Sequence, residues 1–282
     1  MDGLGKAISA IANRAAAISH KEDGDYVQGG LLYCHKCNTA KQTRITLPWD
    51  EQERTVSCLC KCMKEQLDRE EAARKQAERE LSIRRNRAAA FPEAEFADWN
   101  FEADDGANPK ITQIMKNYVE HFEEMRESGK GLLLYGAVGR GKTFAAACAA
   151  NALLNKGYTV LMTNFARIAN TATGMFEGRQ EYYDSLNRYD LLVLDDLSAE
   201  RKTEYMQEIV FSVIDARYRA GKPLIITTNL SLEELKKPGE ITSQRIFDRV
   251  MEMTVPVEVK GANKRYKKIN DDYARLQNLL GL

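Results

Sequence analysis

Neither a net charge nor a long apolar run is present in this sequence. Its 41 acidic residues balance its 41 basic residues, which excludes a strongly basic molecule, so any nucleic-acid contact must come from a local patch. No apolar segment approaches the roughly 18–20 residues that a membrane span requires. The alanine-rich start of the chain is interrupted by Asn13 and Arg14, which makes it too polar for a secretory signal. We therefore expect a cytoplasmic protein that does not enter a membrane.

Cysteine is scarce outside one short segment. Five of the six cysteines lie between Cys34 and Cys62, and Cys148 stands alone among alanines as a predicted core residue. Clustered thiols in a chain without an export signal predict a metal site and not a disulfide framework. The spacing, C-x-x-C followed about 20 residues later by C-x-C-x-C, is typical of two zinc knuckles that together supply four thiolates. His35 is a weaker candidate. The thiols that compete for the four positions are Cys34, Cys37, Cys58, Cys60 and Cys62.

Composition divides the chain into three segments. The first carries the cysteines and an amphipathic helix over residues 2–20, in which apolar side chains recur every three or four positions. The second is rich in Glu, Lys, Arg and Ala, and its i,i+4 charge pairs, such as Glu71–Lys75, predict an exposed helical linker. The third begins after Phe91-Pro92. We therefore assign residues 1–62 to a small zinc-binding module, 63–90 to the linker and 91–282 to the main domain.

The main domain alternates short apolar runs with helical patterns. This alternation predicts an α/β fold with a central parallel sheet that helices cover on both faces. Strands are predicted at Gly131–Tyr135, Tyr158–Met162, Leu191–Leu194 and Pro223–Thr227. Helices are predicted at Ile111–Arg126, Thr143–Asn155, Asn164–Met175, Arg179–Leu186, Glu204–Ala220 and Ser243–Arg249.

One strand–helix junction carries a phosphate-binding motif. The segment Gly136-Ala137-Val138-Gly139-Arg140-Gly141-Lys142-Thr143 matches G-x-x-x-x-G-K-[ST] in full. Its glycines allow a tight turn whose backbone N–H groups face the phosphates, and the following helix adds the positive end of its dipole. Lys142 is expected to reach the β- and γ-phosphates, and the Thr143 hydroxyl to ligate Mg²⁺. The motif predicts a site for ATP with Mg²⁺.

Two acids end a strand about 50 residues later. Asp195 and Asp196 follow the apolar run Leu191–Leu194, and ligands bind at the carboxyl ends of the strands in such sheets. Asp195 is expected to hold Mg²⁺ through water, and Asp196 to orient the attacking water.

These motifs together resemble those of a known family. GLLLYGAVGRGKT, DLLVLDDL, LIITTNL and the R-x-x-x-R segment of Arg245 and Arg249 are similar to those of DnaC/DnaI-type replicative helicase loaders, many of which are encoded by phages and prophages. The resemblance implies an AAA+ P-loop ATPase domain that follows a cysteine-bearing module. It also implies slow hydrolysis of ATP that is stimulated by a partner or by DNA.

The resemblance assigns roles residue by residue. Asn229 falls at the family's sensor-1 position, between the two acids and the γ-phosphate. Arg249 matches the arginine finger that completes the ATP site of a neighbouring subunit, with Arg245 as the alternative. Arg265 falls at the sensor-2 position, although Asn263 stands where the family usually has serine.

Two further assignments come from the resemblance. Asp196 stands where most AAA+ ATPases have glutamate, which implies slower hydrolysis and a switch instead of a motor. The family commonly shows C-x-C leading into a charged helix, so Cys60 and Cys62 are expected to complete the zinc site, with Cys58 as the alternative.

The resemblance also implies partners. The amino-terminal module is expected to contact a hexameric helicase of the DnaB type, and the ATPase domains to associate side by side around single-stranded DNA. The ATP state would then time the release of the helicase. Basic residues and one aromatic side chain are candidates for DNA contacts. They are Arg167, Arg179, Lys264, Lys267, Lys268 and Phe165.

Other functions fit some of these motifs. A transposase helper ATPase of the IstB type has closely similar ATPase motifs and would bind target DNA, but such proteins generally lack the cysteine module. A replication initiator that reads duplex DNA would need an appended helix-turn-helix, for which the sequence after Arg265 is too short. A nucleotide-binding protein without turnover stays open.

Overall fold

The computed structural model describes most of the chain, in two compact units that comprise Met1–Glu80 and Leu81–Leu282. The described residues are 21–47, 50–91, 93–175, 177–197, 204–236 and 241–263, with the isolated positions Tyr273, Leu276, Gln277, Leu279 and Leu280. The predicted helix over residues 2–20 lies outside them, as do Lys264, Arg265, Lys267 and Lys268. Within these ranges, no helix has the length and apolar character that a membrane crossing needs.

The first unit contains two antiparallel strand pairs. They are formed by β1 (Tyr26–Gln28) with β2 (Leu31–Tyr33), and by β3 (Gln42–Leu47) with β4 (Asp50–Ser57). The turn between β1 and β2 consists of Gly29 and Gly30, which both have positive φ, at 59° and 77°. Glycine adopts this conformation without the strain that a Cβ brings, which favours a two-residue hairpin.

A buried ion pair fixes the first unit. Lys41 Nζ donates to Asp25 Oδ2 at 2.6 Å, and the two side chains are 3% and 0% exposed. The Asp25 carboxylate also accepts hydrogen bonds from the backbone N–H groups of Glu22 and His35. The bond from Lys41 is the main reason that the pKa of Asp25 lies well below its usual range. A buried charge is tolerated only when its partners satisfy it in this way.

A long charged helix follows the cysteines. This helix, α1, runs over Lys61–Ala90, and Ala90 is its buried residue. The predicted Glu71–Lys75 pair is confirmed, with a nitrogen–oxygen distance of 2.8 Å. Because i,i+4 pairs stabilise helices that lack a buried face, the segment is helical without an apolar stripe.

A five-stranded parallel sheet forms the centre of the second unit. Its strands are β5 (Gly131–Tyr135), β6 (Val160–Asn164), β7 (Leu191–Asp195), β8 (Leu224–Thr228) and β9 (Thr254–Glu258). Their order across the sheet is β6-β7-β8-β5-β9, and all neighbours are parallel. The predicted α/β fold with a central parallel sheet is confirmed.

Helices cover both faces of this sheet. They are α2 (Pro109–Glu120), α3 (Phe122–Glu127), α4 (Lys142–Lys156), α5 (Phe165–Thr173), α6 (Arg179–Ser185), α7 (Glu204–Arg219), α8 (Leu232–Lys236) and α9 (Ile241–Met253), with short 3₁₀ segments at Ala94–Asp98 and Leu186–Arg188. Successive side chains of β5 point to opposite faces, so Leu132 and Leu134 pack in one core with α2 and α4, whereas Leu133 packs in another with α5, α7 and α9. Cys148 is buried in α4, as predicted.

Two predicted elements differ from the structure. The helix predicted over Ile111–Arg126 is wrong as a single element: the chain turns at His121 (φ −95°, ψ 23°), where α2 ends and α3 follows. The apolar spacing continues through this turn and therefore conceals it. Strand β9 is not predicted, because Pro256 argues against a strand. It lies at the edge of the sheet and pairs with β5 alone, so the missing proline N–H is tolerated there.

Candidate nucleotide site and cysteine cluster

The P-loop connects β5 to α4 through glycines in an unusual conformation. Gly136, Gly139 and Gly141 have φ values of 136°, 77° and 89°, which side chains with a Cβ rarely adopt. The loop therefore turns tightly at the carboxyl end of β5 and delivers Lys142 and Thr143 to the first turn of α4. This is the geometry that the motif predicts.

Lys142 lies across its own loop. Its ammonium donates to the carbonyl oxygens of Gly136 at 2.7 Å and Ala137 at 2.9 Å, and to Asn229 Oδ1 at 2.7 Å. Lysine has three N–H donors, and these bonds hold the buried side chain at the mouth of the loop. Asn229, which follows β8, is thus in direct contact with the P-loop lysine.

Thr143 and Asp195 meet at the same place. The Thr143 hydroxyl lies 3.3 Å from Asp195 Oδ2, and the Thr227 hydroxyl donates to Asp195 Oδ1 at 2.6 Å. Burial raises the pKa of the Asp195 carboxyl, and the two hydroxyl groups oppose that rise. A hydroxyl and a carboxylate at this separation fit the oxygen shell of one Mg²⁺, which prefers such ligands. The residues therefore suit the predicted magnesium site.

The second acid has a strained backbone and a fixed partner. Asp196 has φ 57°, a left-handed conformation that aspartate tolerates better than most residues. Its N–H donates to the Thr227 hydroxyl at 2.9 Å, and its Oδ1 accepts from Asn229 Nδ2 at 3.0 Å. The Asn229 amide therefore bridges Lys142 and Asp196.

These groups line a cavity of about 560 Å³, a size within the range of small-molecule sites. The lining includes the loop residues Val138 to Thr143 and the two acids. It also includes Glu95, Trp99 and Asp105, which sequence reasoning did not find. Trp99 packs against Phe144 of α4 with ring centroids 5.6 Å apart, a tertiary contact that no local motif indicates.

The arginine-finger candidates lie away from this cavity. The Arg249 guanidinium stacks on the Tyr218 ring, 3.9 Å from its centroid, and forms an ion pair with Asp215 at 3.3 Å. Arg245 lies one turn earlier in α9, 5.9 Å from the Phe211 ring centroid. Neither arginine is among the residues that line the cavity.

Sheet topology places Arg249 and the P-loop toward opposite ends of the parallel strands. Arg249 lies in the last turn but one of α9, which leads directly into the first residue of β9. The P-loop follows the last residue of β5, and β5 and β9 are paired in parallel from Gly131↔Thr254 to Tyr135↔Glu258. A five-residue strand spans about 16 Å. Arg249 therefore lies toward the amino-terminal ends of the strands, whereas the P-loop of the same chain lies at their carboxyl ends.

Four of the five clustered cysteines converge in the first unit. The Sγ atoms of Cys34, Cys37, Cys60 and Cys62 all lie within 4.8 Å of one another; Cys62 Sγ is 3.6 Å from Cys34 Sγ and 3.5 Å from Cys60 Sγ. Sulfur atoms around a tetrahedral zinc ion are about 3.8 Å apart, from a Zn–S distance of about 2.3 Å. The tetrad therefore fits zinc.

Cys58 lies outside this tetrad. Its thiol donates to the Ala40 carbonyl at 3.5 Å, and Cys58 N–H bonds to the Lys41 carbonyl. His35 is not among the four residues either: its Nδ1 lies 3.1 Å from Asp25 Oδ1, and it forms a group with Asp25 and Cys34 instead. The geometry thus favours the C-x-C pair over the alternatives that spacing leaves open.

The candidates for DNA contact that the structure describes differ in their exposure and in their hydrogen-bond or ion-pair partners. Phe165 is 0% exposed, so the prediction that it stacks on a base is wrong: its ring fills the core below α5. Arg167 is exposed and pairs with Glu93 at 3.2 Å. Arg179 Nε donates to the carbonyl oxygens of Ala172 and Met175 at 3.1 and 3.3 Å, which ties it to the end of α5.

A family model described as IstB-like ATP binding protein matches residues 46–271. The chain belongs to the IstB-like ATP-binding protein family. The replicative helicase loader DnaI of Bacillus subtilis is 27% identical over 168 residues, which cover 55% of this chain and 52% of that protein. The replicative helicase loader DnaC of Escherichia coli K12 is 28% identical over 139 residues, which cover 48% of this chain and 54% of that protein. This chain thus matches about half the length of each loader.

A solved structure shares the fold. The crystal structure of DnaI superimposes with a TM-score of 0.52 and 22% identity, and the match covers 64% of this chain and 99% of that one. The predicted resemblance to DnaC/DnaI-type loaders is confirmed. Membership of an ATP-binding family agrees with the P-loop geometry.

Proposed function

We propose that this IstB-like protein is an AAA+ ATP switch that loads a replicative DNA helicase onto single-stranded DNA. One observation carries the proposal: five side chains form a hydrogen-bonded junction at the carboxyl ends of the strands. They are Lys142, Thr143, Asp195, Asp196 and Asn229. These are the groups that P-loop ATPases use, and relatives named as helicase loaders are 27% and 28% identical to this chain over 168 and 139 residues. The proposal assigns this site a slow hydrolysis of ATP to ADP and phosphate.

Each residue of the junction has a distinct task. Lys142 exchanges its carbonyl partners for the β- and γ-phosphate oxygens, while Thr143 and Asp195 hold Mg²⁺. When bound, Mg²⁺ supplies positive charge that offsets the charge on the phosphates. Asp196 accepts a hydrogen bond from the attacking water, and Asn229 fixes the Asp196 carboxylate.

A neighbouring chain completes the site. Because Arg249 lies toward the strand ends opposite its own P-loop and does not line the cavity, its guanidinium serves the nucleotide of another copy. A trans-acting arginine can raise phosphoryl-transfer rates by about 10³–10⁵-fold. ATP therefore favours side-by-side association, in which the predicted sensor-2 residue Arg265 contacts the nucleotide of its own chain.

The cysteine tetrad gives the amino-terminal module a structural role. Zinc would hold Cys34, Cys37, Cys60 and Cys62 in one closed site, which stabilises modules that are too small for a core of their own. We assign residues 1–62 to helicase binding and residues 63–90 to the linker. The ATPase domain, residues 91–282, contacts single-stranded DNA through exposed basic residues, of which Arg167 is one.

The test is a reconstitution with the purified hexameric replicative helicase of the same organism. With ATP, we expect a stable complex that deposits the helicase on circular single-stranded DNA; with the Lys142→Ala chain, we expect no deposition. If no complex forms with or without ATP, the loader function is wrong.

The second candidate is a transposase helper of the IstB type. The family match over residues 46–271 favours it, because the family is named for such ATP-binding proteins. A helper would bind double-stranded target DNA tightly and ignore the helicase. Binding of fluorescent duplex and single-stranded oligonucleotides in the same reconstitution separates the two functions.

A further inference from the structure

The predicted arginine finger is held by two side chains of α7. Arg249 Nη2 lies 3.3 Å from Asp215 Oδ1, and the guanidinium carbon lies 3.9 Å from the centroid of the Tyr218 ring. The Arg249 side chain is 34% exposed, whereas that of Asp215 is only 15% exposed. One flank and one face of the guanidinium are thus occupied, while part of it still reaches solvent.

Both holders are themselves anchored. Asp215 Oδ2 pairs with Arg219 Nε at 3.0 Å, so one carboxylate serves two arginines. The Tyr218 hydroxyl donates to Glu252 Oε1 at 3.0 Å, which fixes the ring from the α9 side. The anchors belong to α7 and α9, and the contact therefore depends on how these helices pack.

We propose that Asp215 and Tyr218 are positioning residues that preset Arg249 for the nucleotide of a neighbouring chain; this inference rests on the proposed trans-acting role of Arg249. A guanidinium has five N–H donors in a rigid plane. Stacking on Tyr218 uses a face and no donor, and Asp215 engages one nitrogen, so donors remain for a phosphate. A free arginine would lose its rotational freedom at assembly, whereas this one has lost most of it before.

Arg245 provides an internal comparison. Its guanidinium is 5.9 Å from the Phe211 centroid, and within the described part of the chain no ion pair to it is seen. Arg245 is exposed and lacks the two-sided support of Arg249. Of the two arginines that the sequence leaves as finger candidates, the one that is held in place is Arg249.

The experiment measures steady-state ATP hydrolysis by the full chain with single-stranded DNA. Asp215→Ala and Tyr218→Leu are expected to lower kcat by about 10–100-fold, since misplacing a catalytic group by about 1 Å costs up to about 100-fold. ATP affinity should change by less than about twofold, because the cavity is remote. Tyr218→Phe keeps the ring and should retain most activity. Arg188→Ala, which removes a comparable arginine stacked 4.8 Å from the Tyr189 centroid, is the matched control and should leave kcat unchanged.

Mixing chains separates positioning from damage. A Lys142→Ala chain has no working site but keeps its finger, so adding it should restore hydrolysis to the Arg249→Ala, Asp215→Ala and Tyr218→Leu chains. Restoration also proves that the variant chains are folded. A purely structural defect would not be rescued in this way.

The outcomes distinguish failure of the trans-acting role of Arg249 from failure of the positioning role of Asp215 and Tyr218. If Arg249→Ala is not rescued, or if the parent chain hydrolyses no ATP, the trans-acting site fails and the positioning role fails with it. If Arg249→Ala is rescued but Asp215→Ala and Tyr218→Leu have the parental kcat, only the positioning role is overturned. Loss of activity in those two variants without rescue likewise overturns it.

Discussion

Asn229 Oδ1 accepts a hydrogen bond from Lys142 Nζ at 2.7 Å. The same amide donates from Nδ2 to Asp196 Oδ1, so one side chain joins the P-loop lysine to the acid that follows the neighbouring strand β7. An amide is suited to this bridge, because it has an acceptor at one end and donors at the other. When Lys142 turns to a nucleotide, its hydrogen bond with Asn229 must rearrange, whereas the hydrogen bond from Asn229 to Asp196 can persist.

This bridge predicts separate effects on binding and turnover. Asn229→Ala removes one hydrogen-bond acceptor of Lys142 but leaves the loop intact, so ATP affinity should change less than about threefold while kcat falls about 10–100-fold. Lys142→Ala should instead weaken ATP binding by more than about tenfold. Titration with a fluorescent ATP analogue and a phosphate-release assay give the two values. Equal losses of affinity in both variants would show that Asn229 maintains the loop instead.

The tetrad predicts which cysteines matter. Serine at Cys34, Cys37, Cys60 or Cys62 should abolish zinc binding, whereas Cys58→Ser should keep one zinc per chain, because Cys58 Sγ bonds to the Ala40 carbonyl outside the cluster. Metal content by mass spectrometry of the purified variants measures this. A Cys58→Ser chain without zinc would refute the assignment. Chelation should also unfold the first unit, since zinc binding and folding are coupled in such modules.

The buried ion pair of Asp25 and Lys41 predicts that substitutions of the two residues have non-additive effects on stability. Asp25→Ala leaves the Lys41 ammonium buried without its 2.6 Å partner, so we expect the melting temperature of the first unit to fall by about 5–10 °C. The double variant Asp25→Ala/Lys41→Ala should lower the melting temperature by less than the sum of the decreases in the two single variants. Circular dichroism melts of the four chains complete this cycle, and strictly additive losses would count against the pair.

The close packing around Gly131 predicts that any larger residue at this position destabilises the protein. A Cβ on this residue would lie 1.7 Å from the Leu224 carbonyl oxygen on the neighbouring strand β8, so Gly131→Ala should destabilise the second unit by about 3 kcal/mol or more. Gly157→Ala is the control for a glycine without a close neighbour: its φ is 98°, unlike that of Gly131, but nothing lies within 4 Å of its Cβ position, so only about 1–2 kcal/mol of backbone strain is expected. Urea unfolding compares them, and equal losses would argue against the close approach of β5 and β8.

Features carried by adjacent residues were predictable from the sequence. The P-loop, the acids at the end of β7 and the charged helix α1 are local patterns, and the elements that carry them form where the patterns indicate. The choice between Cys58 and its neighbours was not predictable from spacing alone, because it depends on how the segment after β2, which carries Cys34 and Cys37, meets the start of α1. The partners of Arg249 lie about 30 residues earlier in the chain, and only the packing of α7 against α9 brings them together. The cavity wall around Trp99 escaped detection for the same reason.

If Arg249 serves the nucleotide of a neighbouring chain, as proposed, the number of complete active sites depends on how many chains associate. Two copies that share a nucleotide in this way use different surfaces. The interface is therefore heterologous, and each added chain repeats the same head-to-tail contact. An open row of such copies always ends in one chain whose nucleotide lacks a finger and one whose finger lacks a nucleotide. Hydrolysis per chain should therefore rise with the length of the row, and an isolated chain should be nearly silent.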